Sequence, residues 1–499
     1  MKVFNINDFR VFHPEIVEFK TDVYYLNVAN VLYEIVSKSL SGRDMEYELK
    51  ETIAMRVAHY FEDVVCDLGI WRAFTETHLR RYGRPLPFYS LDDIDEYYPD
   101  EVHVQDVQFI IWNVMQSAYE DRFMNPENPG FEALARSLYA ELDKRFEQAP
   151  VNEQYKTFAY EIADANHPDA PFTLRNIWMW LLSTNYLMTT GKVEEEMSLY
   201  EEKLHFIDDD DQKHYTSMSD ASVRVRIGPL NMTAPEWYAA MCKSEESGNA
   251  KLLAEKIEAM DYREITVYKK LSSKGDSMKI ESPKGEVLDV PYSGFLDSDE
   301  VKLTASKTSV FIGALLRWDN VWLPFGMTTW NNAEEVFVEM KADWESRQRT
   351  AKFVPAKVKE KFGDQRLFFL KDKKQIKYWY KELFGKDVPM TDSSDDYYDF
   401  PDDEPIAMYL DDMGDFCIAP IAGAIALDDN PYYDPTFADE LGLAVLMLPD
   451  FVDKAFTDYL VSNNLLPDAA CNSLKGHEHG HKLIQSNIGF LKEYFRGIW

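Results

Sequence analysis

Apolar residues recur at three- and four-residue spacing through the first 190 positions, then give way to two-residue alternation between 264 and 331. In the helical part, Leu49, Ile53, Val57, Phe61, Val64 and Leu68 mark one face of a helix that Gly69 stops. DVYYLNVANVLYEIV before it reads as a helix capped at Thr21 or Asp22. A third helix is expected from about Val104, with Val107, Ile110 and Met115 as core candidates. A fourth, marked by Leu134, Leu138 and Leu142, follows the PENPG loop at 126–130. LRNIWMWLLSTNYLM at 174–188 closes this helical domain as a buried core helix. It is interrupted by Arg175, Asn176 and a Ser-Thr-Asn triplet and is too short to span a bilayer.

Residues 191–263 connect. EEEMSLYEEKL predicts a charged helical arm, and the like charges of Asp208–Asp211 predict a surface loop without the DxDxDG spacing of a calcium loop. VRVRIG at 223–228 alternates like a strand, and Thr233 with Pro235 opens a helix through Trp237, Tyr238 and Met241. Then EITVYKKL, SMKIES, EVLDV, VKLT and SVFIGALLRW read as short strands, with turns at Ser282-Pro283-Lys284-Gly285 and Asp319-Asn320. They suit a small β-barrel or an open sheet covered by a helix at 332–348.

Beyond about 352, RLFFL, PIAMYL and DFCIAPIAGAIAL suggest strands. KQIKYWYKELF, 436–447, 452–464 and a last helix ending at Phe495 alternate with them, and DSSDDYYDFPDDEP at 392–405 reads as an acidic loop. The pattern predicts an α+β multi-domain chain: a helical domain at 1–190, connecting helices and a strand at 191–263, a β-rich module with its following helix at 264–350, and a mixed α/β domain at 351–499.

Composition narrows what such a chain does. Against 87 acidic residues stand 53 Lys and Arg, a net charge of −34. Counterion release therefore cannot drive binding to nucleic acid, and an anionic membrane surface repels the chain. Cys66, Cys242, Cys417 and Cys471 lie far apart with no CxxC pair, which suits buried thiols in a reducing, cytoplasmic setting. MKVFNINDFRVFHPE lacks the apolar core of a signal peptide. Neither GxGxxG nor GxxxxGK[ST] occurs, nor a GxSxG elbow.

One segment carries a chemical pattern. KGHEHGHK holds His477, His479 and His481, and His477-Glu478-x-x-His481 matches HExxH, in which two histidines one turn apart bind zinc and the Glu acts as general base. Gly476 and Gly480 weaken the helix this chemistry needs, and the extended form fails because position 484 is Ile. The same residues also fit a helix start whose stripe continues through Ile484, Ile488, Leu491 and Phe495. Elsewhere, Trp71, Phe74 and the YGRPLPFY turn at 82–89 could line a peptide groove or simply pack. His59 and His78 have no partner at metal-ligand spacing and read as structural.

DVYYLNVAN at 22–30, YGRPLPFY at 82–89, DVQFIIW at 106–112, NPYYDP at 430–435 and NIGFLKEYF at 487–495 together resemble a family of gut Bacteroidetes proteins classed as a domain of unknown function. The resemblance implies a bacterial cytoplasmic origin and carries no catalytic residues. Three readings of function follow. The first is a non-enzymatic protein-interaction or scaffold protein with a protein partner and no cofactor. The second is a zinc-dependent hydrolase using the HEHGH segment at 477–481, with Glu478 as the base. The third is an acidic antagonist that covers a basic partner.

Overall fold

The computed structural model of the 499-residue chain describes residues 3–14, 19–43, 45–89, 97–188, 190–207, 209–295, 297–385, 401, 403–448 and 451–496. Most of the acidic segment at 392–405, and Asp208, lie outside these. The fold is α+β. Contacts group the chain into two compact units, one built from residues 1–119 and 124–340 and the other from 120–123 and 341–497. Among the described residues no helix is long and apolar enough to cross a membrane.

The Tyr47–Cys66 helix is the spine of the first unit and packs against the Asp22–Lys38 and Val104–Ala118 helices. Ile53, Ala54, Val57, Ala58, Tyr60 and Phe61 are all inaccessible to solvent. From Ile53 onward the helix is so enclosed that His59, Glu62 and Asp63 are buried as well and need partners. It ends through Asp67 in the left-handed region, and Gly69 at φ 84° begins the Ile70–Tyr82 helix. Thr21 makes no capping hydrogen bond to the 22–38 helix. Asp22 is buried instead and accepts from the Phe19 N–H.

The four-aspartate run departs from expectation. Asp209 caps the Asp210–Arg224 helix by accepting from Gln212 N, and Asp210 and Asp211 occupy its first turn, where the helix dipole favours negative charge. That helix absorbs the start of VRVRIG, leaving a two-residue pair, β1 (Arg226–Ile227) with β2 (Met232–Thr233). The Ala234–Ser244 helix starts where Thr233 and Pro235 predict, and opens with a reciprocal Thr233–Glu236 capping box.

Five strands follow: β3 (Asp261–Lys274), β4 (Ser277–Glu281), β5 (Val287–Pro291), β6 (Val310–Trp318) and β7 (Val321–Asn331). They form an antiparallel sheet in the order β5-β4-β3-β6-β7. The edge strands β5 and β7 approach one another without a shared ladder, so the sheet curls but stays open and is not a closed barrel. VKLT is helical, inside Ser298–Lys307: a four-residue alternation is too short to specify a strand, and Ser298, Asp299 and Glu300 supply a helix start. Ile265, Val267, Val310, Ile312 and Ala314 face Tyr200, Leu204 and Phe337 on one side of the sheet. Tyr268, Met278, Ile280, Phe311 and Leu315 form a second core on the other. Burial on both faces explains why SVFIGALLRW is almost continuously apolar.

The Glu334–Phe362 helix is continuous through residue 350. In the second unit, β8 (Leu367–Leu370), β9 (Ile406–Leu410) and β10 (Phe416–Ala419) form an antiparallel sheet in the order β10-β9-β8, so this region is α+β in connectivity rather than α/β. β9 is buried throughout. Its Ile406, Met408 and Leu410 pack with Val358, Ile376 and Trp379, and its Ala407 and Tyr409 with Val445, Phe456 and Leu460. The final helix is two helices, His477–Gln485 and Ile488–Arg496, broken at Ser486 and Asn487.

Candidate functional site

The HEHGH segment does begin a helix, but its side chains sit in different surroundings. His477 and Glu478 are exposed, so the stripe expected to run from Phe495 back to His477 stops short of it. His479 and His481 are half-buried, and His481 Nδ1 pairs with Asp468. Among the described residues the three imidazoles do not join any set of three converging metal ligands. The glycine between them has a packing reason: a Cβ on Gly480 would stand 2.0 Å from the Cys471 carbonyl oxygen, so only glycine lets the helix sit this close. Gly480→Ala is expected to destabilise the second unit by about 1–3 kcal/mol, read as a lowered unfolding midpoint.

Converging ligands are found instead in the first unit. His59 and Glu62 sit at i and i+3 on the 47–66 helix, which puts both side chains on one face. His13 comes from the segment after the short Ile6–Arg10 helix, whose Phe9 stacks on the His59 ring with centroids 4.0 Å apart. Ligand atoms of His13, His59 and Glu62 all lie within 4.8 Å of one another. His13 Nε2 donates to Glu62 Oε2 at 2.8 Å, and His59 Nδ1 is 3.6 Å from the same oxygen. On the other side of the ring, His13 Nδ1 faces Asp22 Oδ1 at 3.5 Å. Asp22 Oδ2 accepts from Arg10 Nε at 2.7 Å and from the Phe19 N–H at 3.2 Å.

Burial governs the electrostatics. It depresses the His59 imidazolium to about 4, against the hydrogen bond that Glu62 accepts from the ring. Burial alone would raise Glu62, but the adjacent His13 and the hydrogen bonds from both histidines bring it down to about 2, so it is a carboxylate. Four buried atoms, His13 Nδ1, Asp22 Oδ1, His59 Nε2 and Glu62 Oε1, find no hydrogen-bond partner among the described residues. At about 1–3 kcal/mol each they would together cost as much as a domain's whole stability. A cavity of about 10 Å³ adjoins His59 and Glu62, lined also by Asp63, Trp180, Asn185 and Tyr186. It has room for roughly one water.

A second polar layer lies alongside. Asp63 Oδ2 accepts from Trp71 N and from Tyr186 Oη, both at 2.7 Å, and Oδ1 accepts from Ile70 N at 3.2 Å, so Asp63 caps the next helix across the Gly69 turn. Burial raises its carboxyl to about 6 despite these donors. Asp106 accepts from Tyr60 Oη at 2.6 Å and Tyr97 Oη at 3.1 Å, and Trp71 Nε1 donates to Tyr97 Oη at 2.9 Å. Burial lifts Asp106 further, to about 8.

His59, expected to be a structural histidine without a partner at metal-ligand spacing, instead converges with His13 and Glu62. The His59-x-x-Glu62 spacing was itself a signal, since i and i+3 positions share a helix face. His13, 46 positions upstream, is brought in only by tertiary packing. His78 behaves as expected for a structural histidine, buried with Nδ1 2.6 Å from the Arg84 carbonyl oxygen. Trp71, Phe74, Leu86 and Phe88 are buried core rather than a groove.

The chain belongs to a family described as Protein of unknown function (DUF3843), whose model matches residues 2–267 and 400–496. All five segments that carried the resemblance fall inside these ranges, as do His13, Asp22, His59 and Glu62. No curated protein and no solved structure matches the chain.

Proposed function

We propose that this is a non-enzymatic protein-interaction or scaffold protein whose partner presents a basic surface. The observation that carries this reading is the burial of its converging titratable groups: His13 is 1 %, His59 4 % and Glu62 1 % exposed. The cavity beside His59 and Glu62 is about 10 Å³. Pockets that take a small-molecule substrate span roughly 300–1,000 Å³, so this chemistry is positioned to hold an ion or a water and not to meet a substrate. The work is then left to the surface, and the net charge of −34 favours a basic partner.

The test is chemical cross-linking and affinity capture of the full chain from its native extract, paired with a hydrolase screen of the purified protein. A partner of basic surface is expected in fixed ratio, released as salt rises from roughly 0.1 to 0.5 M and the screening length shortens. Turnover of an ester, peptide or phosphate substrate that is lost in Glu62→Gln or Glu478→Gln would overturn the reading. Loss in Glu478→Gln would favour a hydrolase at 477–481.

A further inference from the structure

We infer that His13, His59 and Glu62 ligate one divalent first-row transition-metal ion, zinc in kind, with Asp22 holding His13 from behind. Ligand type comes first. Two imidazoles and one carboxylate make a mixed nitrogen and oxygen set that suits zinc and its neighbours, whereas calcium and magnesium take oxygen. Spacing agrees. Bonds of about 2.0 Å at tetrahedral angles place ligand atoms about 3.3 Å apart. The observed separations, 2.8 Å from His13 Nε2 to Glu62 Oε2, 3.6 Å from His59 Nδ1 to Glu62 Oε2, and none above 4.8 Å, bracket that value.

Two independent features point the same way. With Nε2 on the ion, His13 Nδ1–H faces Asp22 Oδ1 at 3.5 Å, and Asp22 is itself fixed by Arg10 Nε and the Phe19 N–H. A carboxylate behind a ligating histidine is the usual outer-shell arrangement, and it sets the tautomer and the ring plane. The second feature is the water-sized cavity beside His59 and Glu62, where a fourth ligand fits. Phe9 stacks on His59, Phe12 lies tilted against it and Tyr155 meets His13 edge-on, which closes the site in aromatic rings. Such an ion ties the segment carrying His13 to the 47–66 helix, as a structural metal does.

The experiment uses the full-length, tag-free chain, stripped with a chelator, dialysed against zinc or cobalt(II), and read by elemental analysis and visible absorption. About one ion per chain is expected, with the intense visible bands of four-coordinate cobalt. His481→Ala should leave both unchanged, and His13→Gln and Glu62→Gln should abolish them. If those variants fail to fold, Asp22→Asn keeps all three ligands and is expected to weaken zinc binding by roughly 10–100-fold. Substoichiometric uptake by the folded wild-type chain, unshifted cobalt bands, or loss of the ion in His481→Ala would overturn the assignment. Partner capture by the wild-type chain is read separately, so failure here leaves the interaction reading standing.

Discussion

Asp63→Ala is expected to cost the first unit about 3–5 kcal/mol, enough to lower its unfolding midpoint by many degrees. The carboxyl is 2 % exposed and accepts from three donors that have no alternative: the N–H groups of Ile70 and Trp71, at the open start of the 70–82 helix, and the hydroxyl of Tyr186. Removing the acceptor leaves all three unpaired in the core, where each orphan costs about 1–3 kcal/mol. Asp63→Asn keeps one oxygen and should lose less than half as much. Tyr186→Phe removes one donor and nothing else, so about 1 kcal/mol is expected. Denaturant unfolding of the four proteins checks the series, and a change below about 1 kcal/mol for Asp63→Ala would mean that water replaces the carboxyl.

The same residue shows where sequence reading succeeds and where it stops. The periodicity from Leu49 to Leu68 located the 47–66 helix because burial leaves a local trace, but Gly69, expected to stop it, opens the 70–82 helix, and Asp67 in the left-handed region ends the first one. What Asp63 does is not local in that sense. It reaches across a turn to cap another helix and across the fold to Tyr186. His13 is the stronger case: nothing near it in sequence announces Glu62. HEHGH is the reverse, a pattern complete in sequence whose imidazoles join no set of three converging ligands among the described residues, while Gly480 docks on Cys471 and His481 pairs with Asp468. VKLT failed for want of length, and β6 succeeded because a strand buried on both faces must be apolar throughout.

Between pH 6.5 and 8 the wild-type chain is expected to lose about 2 kcal/mol of stability that Asp106→Asn does not lose. Burial raises the Asp106 carboxyl from 3.8 to about 8, so the folded state holds this proton where the unfolded state has released it. A raised carboxyl contributes its stability in full below the unfolded value, and that stability drains away as pH climbs through the folded one. Each pH unit in between costs about 1.4 kcal/mol. The window matters because the neighbouring buried groups act elsewhere. Asp63, raised to about 6, has finished its own loss by then. His59 is depressed to about 4, so its contribution grows with pH only up to its ordinary value of 6.5. Glu62, lowered to about 2, matters only as pH falls below 4.5. Asparagine keeps an oxygen for the Tyr60 hydroxyl at 2.6 Å and has no proton to lose, so the variant's profile should run flat where the wild type falls. Unfolding midpoints measured across this window decide it: parallel profiles would mean that Asp106 is ionised at neutral pH in the folded chain, with Tyr60 and Tyr97 sufficient to hold the charge.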